Sequence, residues 1–236
     1  PSYMVTREEE HSTRGRANAL RAAISGSLPL ETLASKRLYE IMDLCLECKG
    51  CVAECPSNVD MAKLKYEFLD NYYKVNGYPL RNRLFSNIAK LNQLGTFLAP
   101  ISNFILQSQT SKTFLDKYLD IDLRRNFPEF ANQTFMQWFQ SREKSKPLKP
   151  SKGQVVLFPD TFTNYNQPKI GQAATILLEN MGYQVIIPKF KCCGRPTLSK
   201  GPIDKTIINA RFNVDSIFPY IKNGAKLVGL EPSCIL

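Results

Sequence analysis

Hydrophobic positions along the chain follow two rhythms. In the first, apolar residues recur every three or four positions, the spacing of one face of a helix. Ser12 or Thr13 caps a helix that runs to about Ser25. Leu33, Leu38, Ile41, Met42 and Leu44 place a second helix over Leu30 to Leu44. Ser57 and Asn58 then offer caps, and Met61, Leu64, Phe68, Leu69 and Tyr72 mark an amphipathic helix from Asp60 to Asn76, closed by Gly77. Helical spacing continues from Pro79 to Tyr118, with breaks expected at Gly95, Pro100 and Ser108. Its stripe of Leu80, Leu84, Ile88, Leu91 and Leu94 reads first as core and second as a face for a partner or a membrane surface. Asp120 to Glu143 carries the single tryptophan, Trp138, beside Phe135 and Phe139.

The second rhythm starts after Ser141 to Gly153, a polar stretch with Pro147 and Pro150 that is the best linker in the chain. Gln154 to Phe158, Gln184 to Pro188 and Lys226 to Leu230 are short apolar runs, so buried strands. Between them lie helical stretches, Lys169 to Met181 closed by Gly182, and Ile203 to Lys222 ending near Gly224. The order β-α-β-α-β favours a parallel sheet with right-handed crossovers. The fold class is therefore α+β, with a helical module over residues 1–78, a helical connector and linker over 79–150, and a Rossmann-like half-domain over 151–236.

Composition narrows the classes. The chain has 236 residues and a net charge of +10. Its Lys and Arg occur throughout in runs no longer than two, without interleaved aromatics, which argues against a nucleic-acid face. No run of eighteen apolar residues occurs and no signal peptide opens the chain, so the expected location is cytoplasmic. The first residue is Pro1 rather than Met, so the chain is expected to be excised from something longer. Six of the seven cysteines fall in two tight groups, which is ligand grouping in a reducing compartment rather than a disulfide ladder.

The first group is Cys45-Leu-Glu-Cys48-Lys-Gly-Cys51-Val-Ala-Glu-Cys55-Pro56, the C-x2-C-x2-C-x3-C-P spacing that holds [4Fe–4S] clusters. Cys45, Cys48 and Cys51 can wrap three thiolates around one face of a cube. Gly50 lets the backbone approach the sulfides, and Pro56 stops the loop from continuing as a helix. Cys55 lies one helical turn on and faces away, as does the fourth cysteine that serves the other cluster in two-cluster proteins. Zinc sites more often show two separated C-x2-C pairs. Helix, cysteine loop and helix together describe an α-helical ferredoxin-type module. Upstream, Arg14 and Arg16 suit either neutralisation of a buried anionic cluster or a solvated face. His11, the one histidine, reads as a hydrogen-bonded structural residue.

The second constellation follows the three strands. Strand one leads to Asp160, strand two to Lys191-Cys192-Cys193-Gly194-Arg195, and strand three to Glu231-Pro-Ser-Cys234. All three loops leave the carboxyl edge of the sheet, where open α/β sheets place ligands. Cys192, Cys193 and Cys234 are candidate metal ligands there, with Asp160 and Glu231 as further candidates. Gly194 permits the bend, and Lys191 and Arg195 are expected to favour thiolate over thiol. No second histidine is available as a base for a thiol enzyme and no C-x-x-C redox motif lies outside the cluster loop, so no catalytic residue is assigned.

These residues carry a resemblance. CLECKGCVAECPSNVDM, followed far downstream by a CCG turn and a cysteine after a strand, resembles the iron–sulfur portion of FAD-linked oxidases. These include D-lactate, glycolate, glycerol-3-phosphate and D-2-hydroxyglutarate dehydrogenases, with a CCG cysteine-rich domain as in heterodisulfide reductase. PSYMVTREEEHSTRGRA is similar to the start of that portion. The resemblance implies an FAD domain that oxidises a 2-hydroxy acid and electrons that pass through two [4Fe–4S] clusters to a quinone or another carrier. Cys45, Cys48 and Cys51 would hold one cluster and Cys55 would help hold the other. It also implies an earlier cysteine motif just before Pro1 and an FAD-binding domain of the same polypeptide. Neither lies in this chain, so its own clusters are expected to be incomplete and its own catalysis absent. The implied site of action is the inner face of a membrane, as a peripheral protein. Carboxylates at Asp160 and Glu231, where related domains often carry cysteine, suit zinc better than a five-cysteine cluster. The alternative function is thus a zinc-binding structural or interaction module without a redox role.

Overall fold

A computed structural model describes residues 1–142 and 152–235. Most of the expected linker, Ser141 to Gly153, lies outside the described residues. The chain divides into two compact units. Unit 1 is Pro1–Ser86 with Thr197–Ile203, and unit 2 is Asn87–Pro196 with Asp204–Leu236.

Unit 1 is helical, with α1 (Ser2–Thr6), α2 (Thr13–Ile24), α3 (Lys36–Asp43), α4 (Gly50–Glu54), α5 (Met61–Asn76) and α6 (Leu80–Ser86). Ser12 caps α2 by accepting from the Gly15 amide at 2.9 Å, and Asp60 caps α5 through the Lys63 amide at 3.1 Å. The single helix expected over Leu30 to Leu44 is broken. Ser35 takes an extended backbone and its hydroxyl accepts from the Leu38 amide at 3.2 Å, so α3 starts afresh there. The residues before it tighten into a 3-10 turn, Leu30–Ala34. The core joins Leu20 and Ala23 of α2, Leu38 and Met42 of α3, and Met61, Phe68, Leu69 and Tyr73 of α5. The helical spacing read from the sequence thus becomes three faces turned toward one another.

Unit 2 opens with α7 (Ile88–Phe97), α8 (Ala99–Gln107), α9 (Gln109–Leu119) and α10 (Phe135–Ser141). The break expected at Gly95 is absent, and α7 runs through it. A Cβ there would stand 2.3 Å from the Phe130 ring, so the glycine serves close approach and not chain reversal. The break falls instead at Leu98, and Pro100 opens α8, where a missing N–H costs nothing. The stripe read as core is buried only in part, with Leu84, Ile88 and Leu91 half-buried. Leu80 and Leu94 are exposed, while Asn82, Ser86 and Asn92 are the buried residues of α6 and α7.

The remainder is β1 (Gln154–Phe158), α11 (Thr161–Tyr165), α12 (Pro168–Asn180), β2 (Gln184–Ile186), α13 (Arg195–Leu198), α14 (Ile203–Lys222), β3 (Lys226–Gly229) and α15 (Pro232–Ile235). The sheet order is β2-β1-β3 and both pairings are parallel, with Val155 opposite Val185 on one side and Lys226 on the other. Helices with a small parallel sheet make the chain α+β, as expected. The central strand explains its own composition. Val155, Val156, Leu157 and Phe158 are all buried, so alternation with polar residues has no place. Phe135 of α10 packs with Leu157 and Val185, and Trp138 and Phe139 close the cluster.

Among the described residues no helix is long and apolar enough to cross a membrane. Phe135 is wholly buried. Its truncation to Ala should therefore cost about 3–5 kcal/mol, read as a fall in the urea midpoint of the sheet unit with little change in slope.

Candidate functional site

In unit 1 the chain leaves α3 and enters the cysteine loop at Cys45, whose amide donates to the Met42 carbonyl at 3.1 Å. The turns of the loop are made at Glu47 and Lys49, each with left-handed backbone at φ 57°, rather than at Gly50. A chain that alternates hand in this way curls its successive N–H groups inward, a concavity found around phosphates and iron–sulfur clusters. Among the described residues, no amide from Leu46 to Cys51 donates to a protein acceptor. Cys48 is exposed, and Cys45, Cys51 and Cys55 are half-buried. Cys51 packs on the helical core. Cys55 is extended and ends α4, as the residue before a proline must be.

The donor set can be tested against its occupant. The one group of three or more ligating side chains that lie within 4.8 Å of one another, among the described residues, is Glu8, Glu10 and His11. No three of the loop thiols are that close. Thiolates on a single zinc stand about 3.8 Å apart, given Zn–S bonds of about 2.3 Å at tetrahedral angles. A cubane has a different iron behind each thiolate and takes them farther apart. The wide spread and the idle amides therefore fit a cluster better than a single ion.

Two buried cations stand behind the loop. Lys65 donates to the carbonyls of Asp43 at 3.0 Å and Cys45 at 2.7 Å, and pairs with the Glu47 carboxylate at 3.2 Å. Arg16 donates to the carbonyls of Ile41 at 3.0 Å and His11 at 2.7 Å, and to the Ser2 hydroxyl at 2.8 Å. Together they satisfy carbonyls at the end of α3, which a helix leaves without partners and which carry its negative dipole end. Burial lowers the pKa of Lys200, and Lys65 nearby adds to that shift. The sequence reading missed Lys65 and Lys200. Lys65 had a signal, since it shares a helical face with Met61, Phe68 and Leu69. Lys200 had none, because only the return of Thr197–Ile203 brings it to this unit. His11 is buried, with Nδ1 3.0 Å from the Thr6 hydroxyl. Arg14 lies on the surface and pairs with Glu9.

In unit 2 the three loops meet at the carboxyl edge of the sheet. Cys193 donates to Cys234, Sγ to Sγ at 3.2 Å. Gly194 makes the bend at φ 92°, and a Cβ there would meet Thr206 at 2.7 Å. Asp160 is buried and caps α11. One of its oxygens accepts from the amides of Phe162 at 2.8 Å and Thr163 at 3.0 Å, and the other takes the Thr163 hydroxyl at 2.5 Å. Glu231 accepts from the amide and hydroxyl of Ser233. Both carboxylates are thus already engaged within their own turns.

The thiols do not titrate as the neighbouring Lys191 and Arg195 lead one to expect. A hydrogen bond with Cys193 and burial both push the Cys192 thiol up. The Cys192 bond pulls Cys193 down, but its bond to Cys234 and burial outweigh that and push it up to about 11. Cys234 is lowered, because Cys193 donates to its sulfur. The Lys191 ammonium sits over the Phe212 ring, 4.6 Å from its centre.

Known proteins share this chain's pattern. Residues 1–60 match the 4Fe-4S dicluster domain family. An anaerobic glycerol-3-phosphate dehydrogenase of Escherichia coli (strain K12) contributes one relative, a single subunit of that enzyme. It is 34% identical over 146 residues, 61% of this chain and 36% of that protein. The D-2-hydroxyglutarate dehydrogenase of Pantoea ananatis is 23% identical over 280 residues, all of this chain and 27% of that protein. The glycolate oxidase iron-sulfur subunit of Escherichia coli (strain K12) is 23% identical over 243 residues, 97% of this chain and 51% of that protein. The chain therefore spans about a quarter to a half of the length of these relatives. The resemblance to the iron–sulfur portion of FAD-linked oxidases is borne out by them. No solved structure matches the chain.

Two measurements follow from this geometry. Lys65→Met strands a buried Glu47 carboxylate and should cost unit 1 about 3–5 kcal/mol in denaturant, while Lys65→Met with Glu47→Gln should recover most of it. In the metal-free protein, a lowered pKa populates thiolate at lower pH. Iodoacetamide should thus label Cys234 first as pH rises, Cys193 later and Cys192 last, as peptide mass mapping would read.

Proposed function

We propose that the chain, kin to the iron–sulfur part of hydroxy-acid and glycerol-3-phosphate dehydrogenases, is an electron-transfer region that carries [4Fe–4S] clusters. It would stand between a flavin domain and a quinone or another carrier. The single observation that supports this most is the cysteine loop, with left-handed turns at Glu47 and Lys49 and, among the described residues, no protein acceptor for the amides from Leu46 to Cys51. In this reading Cys45, Cys48 and Cys51 hold one cluster and Cys55 contributes to a second, its remaining ligands coming from an upstream cysteine motif. The cluster, when bound, passes one electron at a time, which suits the step after a two-electron flavin.

The chain's own residues do the rest. The loop amides are available to donate to sulfur, which tunes a cluster's potential. Lys65 fixes the loop to α3 by tying the Cys45 carbonyl to the Asp43 carbonyl. Cys51 roots the loop in the helical core. Exposed Cys48 gives the site a short path to the surface, where a partner or a membrane face would dock.

A second reading, zinc at the Cys192, Cys193 and Cys234 site, is favoured by one observation on a pair of these thiols, although the three do not all lie within 4.8 Å of one another. The 3.2 Å between Cys193 and Cys234 is near the spacing of about 3.8 Å that a shared zinc would impose. The engaged state of Asp160 and Glu231 leaves the thiols as the principal donors there.

Anaerobic reconstitution of the chain with iron and sulfide separates the readings. The expected product is brown and absorbs near ~400 nm, with iron well short of two full cubanes because the loop's four thiols are half of those that two cubanes take. Cys48→Ser should remove most of that iron, and Cys234→Ser should leave the loop's share in place. A colourless protein that takes up zinc alone would overturn the electron-transfer role.

A further inference from the structure

The structure carries one charge that the cluster reading has not used. Arg16 is only 4% exposed. Its guanidinium is engaged on three sides, and all three acceptors are neutral oxygens, of His11, Ile41 and Ser2. Among the described residues no carboxylate pairs with it. Lys65, the other buried cation behind the loop, has Glu47 at 3.2 Å and is neutralised.

A buried cation without a counter-ion costs several kcal/mol, and an arginine cannot relieve that cost by losing its proton. Burial lowers the Arg16 pKa, and the opposing influence comes from Cys45. Holding His11, Ile41 and Ser2 together needs donors but needs no net charge. The charge itself is therefore the feature that calls for an explanation, and it stands against the end of α3, through the Ile41 carbonyl, where the chain enters the loop at Cys45.

We propose that Arg16 is the buried counter-charge of the cluster held from Cys45, and that it raises the reduction potential of that cluster. The inference rests on the electron-transfer reading above. A thiolate-ligated site is anionic and gains a further negative charge on reduction, so a fixed positive charge in a low-dielectric setting favours the reduced form. Arg16 is a positioning residue for charge and takes no part as a ligand.

The test is an anaerobic redox titration of the natural protein loaded with iron and sulfide, followed by electron paramagnetic resonance. Arg16→Gln keeps donors and loses charge. It should lower the reduced-to-oxidised ratio at fixed potential about tenfold, a shift of about 59 mV downward for one electron. Arg16→Lys keeps the charge and should titrate near wild type. Thermal melts of the metal-free variants read the structural cost separately. An Arg16→Gln protein that loads iron at an unshifted potential overturns the proposal, as does an Arg16→Lys protein that falls as far as Gln. Where Arg16→Gln does not fold, Arg16→Lys decides. A wild-type potential supports the proposal, and a lowered potential or failure to take up iron overturns it. A wild-type protein without any iron signal removes the reading beneath, and is recognised because every variant is then silent.

Discussion

The cysteine loop cannot hold its own shape. Among the described residues, no amide from Leu46 to Cys51 finds a protein acceptor, and the loop includes two non-glycine residues in the left-handed region. Each such residue costs roughly 1–2 kcal/mol before any ligand is present. What holds the loop lies behind it. Cys45 is tied to the end of α3, Lys65 ties that end to Glu47, and Cys51 leans on the core formed by α2, α3 and α5. The helical unit is best understood as the support for this loop. Its apolar faces supply rigidity, its buried cations satisfy the carbonyls that α3 leaves open, and a bound cluster would supply the remaining free energy.

Unit 2 solves a similar problem with topology. A parallel sheet sends every strand's following loop to one edge, so residues distant in sequence meet without long-range side-chain design. Cys193 and Cys234 reach 3.2 Å in this way. Asp160 shows the limit of such convergence. It lies at that edge but serves as the cap of α11, where two amides and a hydroxyl already occupy it. Position in a loop brings a residue to a site, and local hydrogen bonding decides what it has left to offer.

The same distinction explains what could be read from the chain. The cysteine spacing and the three strands were legible because each is a local pattern with a single physical meaning. A solid run such as Val155 to Phe158 fits a strand buried on both faces. The break at Ser35 was hidden, since a serine caps a helix only if the chain before it turns away. Gly95 looked like a break because its reason, the Phe130 ring, lies thirty-five residues downstream. Lys65 was overlooked as an ordinary charged position on an amphipathic helix, although it occupies the core face. The thiol order at the second site was not legible at all. It depends on which sulfur donates to which.

The two sulfur sites therefore start from unequal states, and this bears on how each takes up metal. In the loop, thiols stand apart and amides stand idle, so a ligand meets few bonds that it must first break. In unit 2, Cys192, Cys193 and Cys234 hydrogen-bond to one another, with Cys193 held up to about 11. A metal arriving there must displace those bonds and the protons they retain, because only thiolate binds. Uptake at the second site would thus stay coupled to pH, through Cys193, to higher pH than a thiol of ordinary pKa would allow. Chains of mutually bonded thiols favour the empty, reduced form until a cation strong enough to ionise them arrives.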